Sequence, residues 1–137
     1  MKKIFFLLLF FIFFTGFSSL RAGEKISVEI MPPVVVKTVP QSGDIQVDAA
    51  LSEIKVTFSK KMMTDTMWSW VKVSDETFPP IAGNVYFLKD QKTCVLPVKL
   101  YPGKTYIIWI NSKKHNSFRD TNNNPAVPYL LAFETKE

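Results

Sequence analysis

The 137-residue chain carries 17 Lys and Arg against 12 Asp and Glu, a formal charge of +5, and a single Cys. One Cys excludes an intramolecular disulfide, and a chain of this length suits one domain whose core needs no covalent staples. Lys2, Lys3 and Arg21 lie within the first 22 residues; without them 14 basic face 12 acidic side chains, a charge of +2, and no basic stripe remains that could track a nucleic acid.

Lys2 and Lys3 precede an apolar run over residues 4–14, and then Thr15, Gly16, Ser18 and Ser19 lead to Leu20-Arg21-Ala22. A basic start, a short apolar stretch and small residues ending at Ala22 predict a cleavable signal peptide over 1–22 and hence an exported protein, periplasmic, cell-surface or secreted. The uncharged stretch 4–20 falls short of the roughly 18 to 20 residues that span a bilayer, so no membrane association is expected after cleavage. No Cys stands near Ala22 to take a lipid.

Residues 23–33 form a short extended lead-in, in which Ile26, Val28 and Ile30 alternate before Pro32-Pro33. The domain is expected over 34–137. Residues 34–39 predict the first strand, stopped by Pro40 and by Ser42-Gly43-Asp44. Ile54, Val56 and Phe58 alternate with Glu53, Lys55 and Thr57, which predicts a strand with one face in the core. Residues 59–66 read as a turn, with one of Met62 and Met63 plugging the end of the fold and at most a single helical turn. A strand follows over 68–73. Residues 85–88 and 94–96 flank Lys89-Asp90-Gln91-Lys92 and predict a hairpin. Pro97 has no N–H to give a ladder, so its strand is expected to lie at an edge or to break there. Strands over 106–111 and 129–135 close the pattern, with a polar loop over 112–124 between them.

The spacing Leu100-x-Pro102-Gly103-x-x-Tyr106 is that of a tyrosine corner, in which a Tyr near the start of a strand turns inward and bonds its hydroxyl to backbone a few residues upstream. No stretch of the mature chain holds a 3.6-residue apolar period, and turn signals recur at sandwich spacing. The prediction is an all-β, two-sheet antiparallel β-sandwich of about seven strands.

These residues resemble the bacterial Ig-like domain of the SbsA type. The resemblance runs through Val35-Val36-Lys37-Thr38-Val39-Pro40, Ile54-Lys55-Val56-Thr57-Phe58-Ser59-Lys60-Lys61-Met62, the Leu100 to Tyr106 motif, Phe118-Arg119-Asp120-Thr121-Asn122-Asn123-Asn124-Pro125 and Phe133-Glu134-Thr135. It implies an Ig-like fold in an exported or surface protein and is silent on function. Asn123 stands where the family commonly has Gly; Asn tolerates the left-handed backbone, so the turn is expected to survive.

Candidate chemistry is sparse. Asp120-Thr121-Asn122-Asn123-Asn124 superficially resembles the start of a calcium loop, but Pro125 stands where the sharp-turn Gly is needed and Leu131 where the bidentate Glu is needed, so an Asx turn is expected and no metal. The one His, His115, is far along the chain from Cys94, whose place in an alternating strand predicts an inert buried thiol. Asp75-Glu76 and Lys113-Lys114 read as solvated loops. No catalytic residue and no cofactor is expected, and the protein is not expected to be an enzyme.

Aromatic placement carries the functional expectation. If Tyr106 points inward, so do Ile108 and Ile110, which leaves Ile107 and Trp109 outward. Tyr129, Leu131 and Phe133 inward leave Leu130 and Ala132 outward. With Val71 and Val73 inward, Trp68, Trp70 and Lys72 face out. The opposite register of that strand is equally open and makes one Trp a core residue. In the outward register Trp68, Trp70, Ile107, Trp109 and Leu130 form one candidate binding surface, larger than a monomer usually leaves bare. Two readings follow: an exported, non-catalytic module that binds a protein partner or itself through this face, or a module whose Trp rings stack on a cell-envelope glycan.

Overall fold

The computed structural model describes Gly23 and residues 25–137, so the signal-peptide reading of 1–22 lies outside the described residues. Seven strands follow in chain order: β1 (Val35–Val39), β2 (Glu53–Phe58), β3 (Trp70–Lys72), β4 (Tyr86–Phe87), β5 (Thr93–Pro97), β6 (Thr105–Ile110) and β7 (Tyr129–Glu134). They form a four-stranded sheet in the order β1-β2-β5-β4 and a three-stranded sheet in the order β3-β6-β7. Every pairing is antiparallel. This is the seven-strand arrangement of an Ig-like sandwich.

Period-two alternation builds the core. Ile54, Val56 and Phe58 of β2 point inward, as do Tyr106, Ile108 and Ile110 of β6 and Leu131 and Phe133 of β7, all fully buried. Cys94, Leu96 and Val98 line the same core. Pro97 is the last residue of β5, a strand inside its sheet, so it ends the ladder and does not mark an edge. Met62 plugs the sandwich end as expected, through a bridge to Asp120 and a hydrogen bond from its N–H to the Gln91 carbonyl at 2.8 Å; no helical turn forms there.

The tyrosine corner is present. Tyr106 is buried, and its hydroxyl accepts the Tyr101 N–H at 2.9 Å. Gly103 takes φ +62, which only a residue tolerant of the left-handed region holds without strain. Thr135 pins the same turn, donating to the Tyr101 carbonyl at 2.6 Å and accepting the Lys104 N–H at 2.9 Å.

Loop 112–124 is not simply polar. Phe118 is fully buried and packs against Phe58 at a tilt and against Phe87 edge-on, their centroids 5.0 and 6.4 Å away. Asn111 sits in the left-handed region at φ 58, and its buried amide accepts from Phe118 N at 3.0 Å and donates to the Phe118 and Ala126 carbonyls. Beyond it, Asp120 holds the expected Asx turn, accepting the Asn122 and Asn124 N–H groups at 2.9 Å, and Asn123 adopts φ 67.

The edges of the two sheets are treated differently. Residues 43–47 cover the free edge of β7, with Gly43 N donating to Ala132 O and Glu134 N to Asp44 O. β1 carries a bulge between Val35 and Lys37, a device that discourages edge pairing. β3 and β4, three and two residues long, lie at the remaining edges.

Candidate functional site

Register decides which side chains reach the outside of the three-stranded sheet. Ile110 is fully buried and pairs with Trp70, while Trp109 pairs with Val71 on one side and Leu130 on the other. Residues directly across a ladder share a face. Val71, Trp109 and Leu130 therefore make one outward row, and Ile107 and Ala132 make the next. Leu130 is 41% exposed and the other four are partly exposed. No charged side chain interrupts these two rows.

Three of the five expected surface residues, Ile107, Trp109 and Leu130, are brought together there. Trp68 and Trp70 are not, which corrects the outward assignment. Both pack against the core, and Trp70 meets the Phe118 ring edge-on at 5.7 Å. The strand takes the opposite register because the inward side offers an aromatic cluster for a large ring, whereas Val71 leaves only a small apolar surface outside. Val71 thus occupies the place in the face that the Trp residues were expected to fill.

The outer face of the other sheet has a different character. Lys37, Glu53, Lys55, Thr57, Thr93 and Tyr86 lie on it and surround Val39 and Val95, the latter fully covered, with Glu53 accepting from the Tyr86 hydroxyl at 3.0 Å and pairing with Lys55 at 3.4 Å. Such a surface is stable in water without a partner.

A cleft of about 530 Å³ opens at the β3 edge, walled by Trp68, Trp70, Phe78, Ile81, Val85 and Leu96. Lys72 and His115 also line it. The Trp70 indole N–H is buried with no hydrogen-bond partner among the described residues; it points toward the Cys94 sulfur, where it acts against the rise that burial imposes on the thiol.

The reactive side chains are held in structural roles. Burial pushes the Cys94 thiol up to about 12, which keeps it protonated and non-nucleophilic at neutral pH. Burial also pushes the Asp120 carboxyl up, but hydrogen bonds from Asn124, Lys60 and Asn122 outweigh this and hold it below its ordinary value. Lys60 pairs with Asp120 at 3.2 Å and donates to the Glu29 and Met31 carbonyls, so the carboxylate and its cation together fasten the lead-in to the last turn. Among the described residues no group of three His, Cys, Asp or Glu is arranged to hold a metal.

Signals for the missed residues were local. Phe118 is a lone aromatic in a polar loop, and Asn111 is a residue tolerant of left-handed backbone at a strand end.

Residues 29–135 match the family described as bacterial Ig-like domain. Comparison with curated proteins gives no match. Among solved structures the chain is similar to the crystal structure of the S-layer protein rSbsC(31-844), at 19% identity and a TM-score of 0.48, over 77% of this chain and 14% of that one.

Proposed function

Because the chain belongs to the bacterial Ig-like domain family, we propose that it is an exported, non-catalytic binding module that engages a protein partner through the outer face of β3, β6 and β7. One observation carries the reading: the two outer faces differ in chemistry. The four-stranded sheet presents ion-paired and hydroxyl side chains, whereas the three-stranded sheet presents Val71, Ile107, Trp109, Leu130 and Ala132 as an uninterrupted apolar plane. A plane of this kind with a polar rim suits a protein surface. At its border Thr105 and Glu134 face each other as that rim.

The glycan alternative relies on several exposed Trp rings in a row. With Trp68 and Trp70 turned inward, Trp109 stands alone on this face. Catalysis has no support either, since the Cys94 thiol is buried and protonated.

The test is retention of envelope proteins by the immobilised domain. Trp109→Asp is expected to lose the proteins that the parent retains, while Lys55→Asp on the opposite sheet keeps them. Equal retention by all three contradicts the proposal.

A further inference from the structure

The structure assigns a second interface, in which the lead-in of one copy adds as a strand to the β3 edge of another copy. Two parts of this chain are each left unsatisfied, and each has what the other lacks. The first is the segment Lys25-Ile26-Ser27-Val28, whose alternation puts Ile26 and Val28 on one side of an extended strand. In the domain the lead-in is not extended throughout as expected: Val28 opens a turn closed by the Ile30 N–H to the Ser27 carbonyl at 3.3 Å, which must straighten for the segment to pair, and the two side chains are 79% and 80% exposed. Lys60 anchors the chain just beyond them by donating to the Glu29 and Met31 carbonyls, so residues 25–28 project from a fixed point.

The second part is the free edge of β3. Ser69 O accepts the Asn111 N–H, which makes Ser69 and Asn111 a hydrogen-bonded pair of the β3–β6 ladder. Alternation along an antiparallel strand then turns the backbone of Val71 toward β6 and that of Trp70 and Lys72 away from it. The Trp70 and Lys72 backbone groups meet no backbone partner among the described residues. Beside this edge lies the apolar cleft walled by Trp68, Trp70, Phe78, Ile81 and Val85. An added strand would pair its backbone with Trp70 and Lys72 and sink alternate side chains into the cleft, the mode by which extended peptides complete an exposed sheet edge. A three-residue edge spans roughly 10 Å and admits two inward side chains, the number that Ile26 and Val28 supply.

The occupant is a second copy because of where Lys60 holds the lead-in. That anchor adjoins β1, and β1 and β4 are opposite edges of the four-stranded sheet, roughly three strand spacings or about 14 Å apart. A lead-in held at one side of the sandwich faces a neighbour's cleft more readily than its own. The contact joins two different surfaces, so copies link either by reciprocal exchange of lead-ins into a dimer or head to tail into larger species.

This interface is separate from the apolar face around Trp109, and its test separates them. Sedimentation velocity of the protein recovered after export is expected to show a dimer or larger species whose share grows with concentration. Val28→Asp should weaken this association by about tenfold to a hundredfold with an unchanged melt, and Trp109→Ala should leave it intact. In a Val28→Asp, Trp109→Phe variant only Trp68 and Trp70 emit, and a synthetic peptide of residues 23–30 is expected to shift that emission. A monomer at every concentration, oligomers indifferent to Val28→Asp, or emission that saturating peptide leaves unchanged would overturn the inference.

Discussion

The indole of Trp70 meets the ring of Phe118 edge-on, with centroids 5.7 Å apart. Edge-to-face contact of this kind adds to the burial of both rings, and it locks β3 in the register that sends Val71 outward beside Trp109. Trp70→Ala should therefore cost about 3 to 5 kcal/mol, read as a lower midpoint in denaturant. A loss under 1 kcal/mol would mean that Trp70 is not a core residue.

Tyr106 anchors the other side of the sandwich. Its hydroxyl accepts the Tyr101 N–H, and Tyr106→Phe removes that acceptor while leaving the ring in place. The expected loss is about 1 to 3 kcal/mol, because a partly buried N–H is left without a partner. Equal denaturant midpoints for parent and variant would remove the tyrosine corner as a source of stability.

Asp120 couples the last turn to the lead-in through Lys60. Its folded value lies below 3.8, so the native state holds the carboxylate charged where the unfolded chain begins to protonate. The resulting stability is present above that value and is lost as pH falls through and below it. Melts across this acid range should show the loss in the parent and a flatter profile in Asp120→Asn. That variant should also be less stable at neutral pH by about 1.5 to 3 kcal/mol.

The Cys94 thiol lies in the core between Val56 and Phe87 on the neighbouring strands. An aromatic disulfide reagent is expected to label it slowly in the native domain and at once in denaturant. The sign of its pH effect is opposite to that of Asp120. The unfolded thiol ionises near 9.0 and the native one near 12, so its contribution is whole below 9.0 and fades as pH rises between these values. Native labelling as fast as in denaturant would place the side chain outside the core.

The fold is legible where pattern and turn chemistry agree. β2 alternates without ambiguity, and Pro102-Gly103 before Tyr106 sets both a turn and an inward ring, which fixes the outward places of Ile107 and Trp109. The β3 region is different, because Trp68 and Trp70 on one parity and Val71 and Val73 on the other are both apolar. Period two cannot choose between two apolar faces. Phe118 chooses, from a loop far along the chain whose approach to β3 depends on the buried Asn111 amide. Three of the five expected surface residues were thus readable from β6 and β7, and the placement of the other two, Trp68 and Trp70, required a tertiary contact.

The most direct measurement is photo-crosslinking in the bacterium that makes the protein, with a photoreactive residue placed in the full chain at Leu130 or, as a control, at Lys55. A discrete protein adduct is expected from position 130 and none from position 55. Adding Trp109→Ala to the Leu130 variant should abolish the adduct, at a stability cost of about 1 kcal/mol or less for a cross-strand surface pair. No adduct from position 130, an equal adduct from position 55, or an adduct that survives Trp109→Ala would contradict the apolar face as the binding surface.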